Sequence, residues 1–272
     1  MKHEKITRAL TEINELNNMS QQQSTIHALH PLAKLLITMS YIVLLMSFDK
    51  YQLLAIFCMG IYPLWGFHKS QLSWQKCLWR LRLLLPLICL VGLANPWFDK
   101  HVFIVGSWQL KAGYISLATL MLKGLWALLA SYLLIATTSI EQLCYALRLL
   151  HMPKLLVTQF LLTYRYLTLL LEQADTMAQA YTLRAPKQKG VHFKVWGSLA
   201  GQLLLRSIDR ANNLYASMLL RGYKGEYYYG GPIAAWRPRD WHYLLTILAA
   251  LLSIRFLPWS LVFTKLLGGT FR

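Results

Sequence analysis

The sequence predicts an all-α integral membrane protein of about five transmembrane helices, with two further long amphipathic helices on the cytoplasmic side. Three observations carry that prediction. The 272 residues are 56% hydrophobic and only 14% charged, whereas a soluble domain carries about 25% charged residues. The mean hydropathy is +0.37, and the charge deficit lies in long runs nearly free of charge, as lipid-embedded helices require. Between residues 139 and 239, by contrast, two long helical stretches are too polar to cross a bilayer and suit its inner surface.

The elements follow in order. Residues 1–30 form a polar tail, with a short amphipathic helix around Ile6, Leu10, Ile13 and Leu16. It has no apolar core followed by a small-residue cleavage site, so a cleaved signal peptide is not expected. Apolar runs from Leu32 to Phe48 and from Tyr51 to Phe67 flank the polar turn Asp49-Lys50, each near the lower spanning limit of roughly 17 residues. Residues 68–82 carry Lys69, Lys76, Arg80 and Arg82 with no acid. A third run, Leu83 to Phe98, contains Pro86 and ends in Asn95-Pro96-Trp97. Residues 99–111 are a polar loop whose β-branched residues suit a small hairpin. Ala112 to Thr138 is a long fourth helix interrupted only by Lys123, and the last runs from Trp241 to Phe263 and carries Arg255.

The formal net charge of +17 suits nucleic acid, an acidic partner or an anionic membrane face. The apolar runs favour the lipid bilayer and argue against nucleic acid. Lys and Arg crowd the tail and the 68–82 loop, while the opposite loops hold only Lys50, Lys100 and Lys111. The basic side is cytoplasmic, so the expected order is a cytoplasmic tail (1–30), four crossings (31–138), a cytoplasmic segment (139–239), then a fifth crossing with an external C-terminus (240–272).

The cytoplasmic segment holds thirteen Lys and Arg against five Asp and Glu. Pro153 to Arg184 contains no internal Pro or Gly, which allows one helix of roughly 48 Å. Pro153 suits its start and Ala185-Pro186 its stop. A second helix runs from Lys194 to Arg221 and stops at Gly222, a residue suited to the left-handed position after a helix. In the first, Leu155 to Leu171 is mostly apolar. The second sets Leu203, Leu204, Ile208, Tyr215 and Leu219 against a polar side of Arg206, Asp209, Arg210 and Asn213.

Each helix ends in an arginine followed by a small residue: Arg184-Ala185 and Arg221-Gly222, the arginines 37 positions apart. Guanidinium offers donors in a fixed fork, and the small residue lets a partner backbone approach. The repetition suggests two equivalent contacts with acidic grooves; capping of the helix dipole is the competing reading. Arg165, Arg206, Asp209 and Arg210 are assigned to structural support of these helices, while Lys123 and Arg255 snorkel or pair within the membrane.

Other chemistry is thin. Cys58, Cys77, Cys89 and Cys144 form no CxxC pair, so neither a disulfide framework nor a zinc site is expected. His27 and His30 alone make a poor metal site, so no metal ligand and no cofactor is assigned. No Gly-Lys dipeptide occurs, hence no phosphate-binding loop. No catalytic residue is assigned. A secondary carrier would show inverted repeats, and a membrane enzyme would need clusters drawn from only eleven acids.

The chain resembles the T component of energy-coupling factor transporters, in the cobalt-type CbiQ branch. The likeness runs through Ser24 to Pro31 with Lys34, Asn95 to Asp99, Ala136-Thr137-Thr138, Ala146 to Pro153 and Thr163-Tyr164-Arg165-Tyr166. It continues in Leu203 to Ser207 with Asp209-Arg210-Ala211, and ends in Arg221 to Gly225. The resemblance implies a non-catalytic coupling subunit of a prokaryotic cell membrane. Such a subunit joins two ATP-binding cassette ATPases to a substrate-capture membrane subunit that binds the cargo: cobalt, or alternatively nickel or a vitamin. The family's coupling motifs read Ala-Arg-Gly or Ala-Arg-Ser. Here they read Leu183-Arg184-Ala185 and Leu220-Arg221-Gly222, so the arginines match and the preceding alanine does not.

Overall fold

A computed structural model describes residues 8, 11–13, 15, 18–20, 24, 26–49, 52–70, 77, 82, 85–93, 102–105, 108–186, 192–225 and 236–256. The chain divides into two compact units, one of Gln22–Thr138 with Ile233–Arg272 and one of Met1–Gln21 with Ser139–Pro232.

The first unit contains α1 (Pro31–Met46), α2 (Leu53–Met59), α3 (Ile61–Ser70), α4 (Leu85–Leu93), strands β1 (Val102–Val105) and β2 (Trp108–Lys111), α5 (Ala112–Thr137), and the late helix that becomes α9 in chain order (Pro238–Phe256). The strands pair antiparallel, Val102 opposite Lys111 and Val105 opposite Trp108, a hairpin in the loop whose composition suited one. Helix α1 packs on both α5 and α9. Tyr41, Ile56, Met59, Phe67, Leu129 and Leu133 are among the side chains buried at the centre. Glycines permit the close approach: a Cβ on Gly60 would lie 2.4 Å from the Trp126 ring and one on Gly66 2.3 Å from Leu133. Small residues at such crossings are how helices pack where lipid offers no hydrophobic drive.

The run expected as one helix from Tyr51 to Phe67 is broken at Gly60, and its second half continues to Ser70. Pro63 explains the break. Proline lacks an N–H and its ring clashes with the carbonyl four residues back, which here is that of Met59. The carbonyl so freed is not orphaned, because the buried Tyr41 hydroxyl donates to it at 3.1 Å.

Lys123 and Arg255, each carried on an apolar helix, both turn to backbone carbonyls. Lys123 on α5 donates to the carbonyl of Phe48. Arg255 on α9 donates to that of Ser47 at 3.5 Å and lies 5.2 Å from the centre of the Phe48 ring. Both meet the carboxyl end of α1, where the helix dipole favours positive charge.

Among the described residues one helix, over Ile115–Thr137, is long and apolar enough to cross a membrane; α1 is apolar but shorter. Of the expected third run, 85–93 is described, and of the last, the part up to Phe256; their remainders lie outside the described residues, as do Ile6, Leu10 and Leu16 of the expected tail helix.

The second unit contains α6 (Ile140–Leu149), α7 (Lys154–Arg184) and α8 (Phe193–Leu220). Ser139 opens α6 through a capping box with Gln142. After α6 the amide of Met152 donates to Leu147 and that of His151 to Arg148. This is the two-bond helix stop that needs a left-handed residue, supplied here by His151 at φ 63°. Pro153 then starts α7. Cys144, Val157 and Leu161 make a small core with Met152. Burial, with Glu141 adding to it, pushes the Cys144 thiol up, so it packs as a neutral side chain.

Candidate functional site

Two places in the molecule concentrate chemistry: the long helices of the second unit and a polar cluster at the start of α1.

Helices α7 and α8 touch each other. The amino-terminal half of α7, through Leu155, Leu162, Tyr166 and Leu170, faces the carboxy-terminal half of α8, through Ser207, Arg210, Leu214 and Met218, across a groove of about 450 Å³. Arg184 is the last residue of α7, and the amide of Ala185 still donates to Tyr181. Arg221 follows α8; Gly222 at φ 79° and the bonds Gly222 N–H to Leu219 and Tyr223 N–H to Met218 turn the chain sharply behind it. Any other residue would meet the left-handed penalty at Gly222.

Arg221 follows the half of α8 that lines the groove, and Arg184 ends the half of α7 that does not. Both arginines are exposed. So are the leucines before them, Leu183 at 82% and Leu220 at 90%. The departures from alanine noted in the sequence are therefore the most outward apolar side chains of these helix ends. Of the expected supports, Arg210 lines the groove. Arg165, Arg206 and Asp209 are exposed and do not line it.

The second place has no counterpart among the sites expected from the sequence. Lys34 is buried on α1, and its ammonium donates to the carbonyl of Thr137 at 2.8 Å and to that of His27 at 3.1 Å. Thr137 closes α5, so the cation sits at a helix carboxyl end. Asp240, buried in the first turn of α9, accepts from the amide of His30 at 3.3 Å and from that of Arg237 at 2.9 Å. The carboxylate thus bridges the amino ends of α1 and α9, where the dipoles favour an anion.

The His30 ring accepts from the amide of Leu32 through Nδ1 and lies 4.7 Å from the Trp236 ring. Burial lowers the His30 pKa; Asp240 opposes that shift and Lys34 adds to it. The imidazole is neutral at neutral pH, as an accepting Nδ1 requires. His27 Nδ1 lies 2.6 Å from Ser24 Oγ. Among the described residues no three His, Cys, Asp or Glu side chains gather to hold a metal.

The sequence matches known proteins. The CbiQ family, described as cobalt transport protein, matches residues 22–229. The chain is 30% identical over 163 residues to the nickel permease LarQ of Lactiplantibacillus plantarum, covering 54% of this chain and 60% of that protein. It is 34% identical over 91 residues to an uncharacterized protein of Methanocaldococcus jannaschii, covering 33% of this chain and 34% of that one. The matched stretches thus span less than two thirds of either relative.

Proposed function

Because the chain belongs to the CbiQ family of cobalt transport proteins, and so is a membrane protein of transport, we propose that it is the transmembrane coupling subunit of an ATP-driven importer. In this reading two ATP-binding cassette ATPases engage α7 and α8, and a separate membrane subunit captures the cargo. The observation that supports it most is the repeated exposed Leu-Arg end on two long helices. Two like ends suit two copies of one partner. The arginine supplies a charge-assisted fork and the leucine an apolar contact. Motion of the ATPases then shifts the helices, which shift the capture subunit between states.

The chain crosses a prokaryotic plasma membrane five times with its N-terminus in the cytoplasm, a reading supported by the distribution of Lys and Arg. The cargo is a divalent transition-metal cation, cobalt first. The match to a nickel permease favours nickel as the second reading.

Replacing both Arg184 and Arg221 with Ala tests the coupling role. Loss of a charge-assisted interface contact costs about 2–5 kcal/mol, roughly thirtyfold or more in affinity per site. The double variant is expected to insert normally, to release the ATPases in pull-down and to lose uptake. Lys replacements should rescue only partly, because an ammonium lacks the planar fork. Undiminished pull-down and uptake by the double-Ala variant would show that these ends are not the contacts.

A further inference from the structure

The buried cluster at the start of α1 lies at a telling place in the chain. The segment that carries α7 and α8 leaves the first unit after Thr138 and returns at Ile233. Thr137, bound by Lys34, immediately precedes the departure. Asp240, which accepts from the amides of both Arg237 and His30, lies in the first turn of the helix that follows the return. Both points of attachment are therefore fastened to the first turn of one helix, α1.

The type of fastening matters as much as its place. Apolar contacts are non-directional and let helices slide. Here the ammonium of Lys34 holds backbone carbonyls and the carboxylate of Asp240 holds backbone amides, so the positions of the main chain themselves are fixed. Burying charge is costly, and well-packed apolar side chains would give equal or better stability. Ionisable groups kept in such surroundings mark function by default.

We propose that Lys34, His30 and Asp240 form the joint through which displacement of the α7–α8 segment enters the membrane helices, acting as positioning residues for transport. The proposal rests on the coupling reading above. With the joint intact, a pull from the α7–α8 segment moves α5, α9 and α1 together. With it loosened, the chain ends near 137 and 237 yield locally, and the motion of the ATPases is spent there.

The test uses the complete transporter, with Lys34→Met and Asp240→Asn made singly and together, and three readings: ATPase subunits held, ATP hydrolysed, and cation taken up per ATP. Variants are expected to keep their ATPases and to hydrolyse ATP while uptake per ATP falls at least tenfold. Lys34→Arg, which retains a cationic donor, should recover part of it. Should Lys34→Met fail to assemble, the isosteric Asp240→Asn carries the test alone. Assembled variants with parental uptake per ATP would overturn the joint, as would a loss of uptake that merely tracks the amount of folded complex. Failure of the coupling reading looks different, since the parent itself would then show no ATP-dependent uptake.

Discussion

Helices α5 and α8 are nearly equal in length, 26 and 28 residues, yet they use their side chains in opposite ways. Along α5, Leu129, Ala130, Leu133 and Ala136 are buried against neighbouring helices. Along α8 no described side chain is buried, and Leu204, Leu205, Ile208, Tyr215, Leu219 and Leu220 are exposed. The first unit carries its own packed core. The second leaves apolar surface open on long helices, as expected of elements whose packing is completed by something else. A transport subunit needs both, one part that keeps its shape and one that receives partners.

The same small substitution should distinguish the two regions. Gly60→Ala sets a methyl 2.4 Å from the Trp126 ring. Overpacking of this kind costs about 1–3 kcal/mol, and a value near the top of that range is expected in thermal unfolding of the purified protein. Tyr41→Phe is next. It leaves the Met59 carbonyl, already stripped of its helical donor by Pro63, without its hydroxyl at 3.1 Å, and a buried unpaired acceptor costs about 1–2 kcal/mol. The smallest effect has the opposite sign. Gly201 lies in the interior of α8, and a methyl group added to its Cα would meet nothing within 4 Å. Gly201→Ala should therefore stabilise by about 0.5–1 kcal/mol through helix propensity alone. Equal signs at positions 60 and 201 would dissolve the contrast between a closed and an open helix.

What the sequence made legible follows the same divide. The ends of α7 and α8 fall within a residue or two of expectation, since Pro153, Pro186 and Gly222 act on the backbone within one turn. The break at Gly60 was within reach, because Pro63 is a local signal, but the apolar run around it masks a proline that only the i−4 carbonyl reveals. The destination of Lys123 and Arg255 was not legible, since the carboxyl end of α1 that receives them is far away in sequence. The cluster at the start of α1 was hidden for the same reason. Its bonds join residues 103 and 210 positions apart, and no periodicity or motif encodes a contact of that range. Lys34 stood among the residues that carry the family likeness; Asp240, its counterpart at the amino ends of two helices, did not.

The central claim is that this chain transmits work it does not itself generate. The most direct measurement is purification of the full-length chain from its native membrane, identification and quantification of every associated subunit by mass, and cation uptake by the same sample in proteoliposomes. The account predicts two ATPase subunits with phosphate-binding loops per chain, a further membrane subunit, and uptake that stops without ATP. A chain that purifies alone and carries the cation across vesicles without ATP would contradict it.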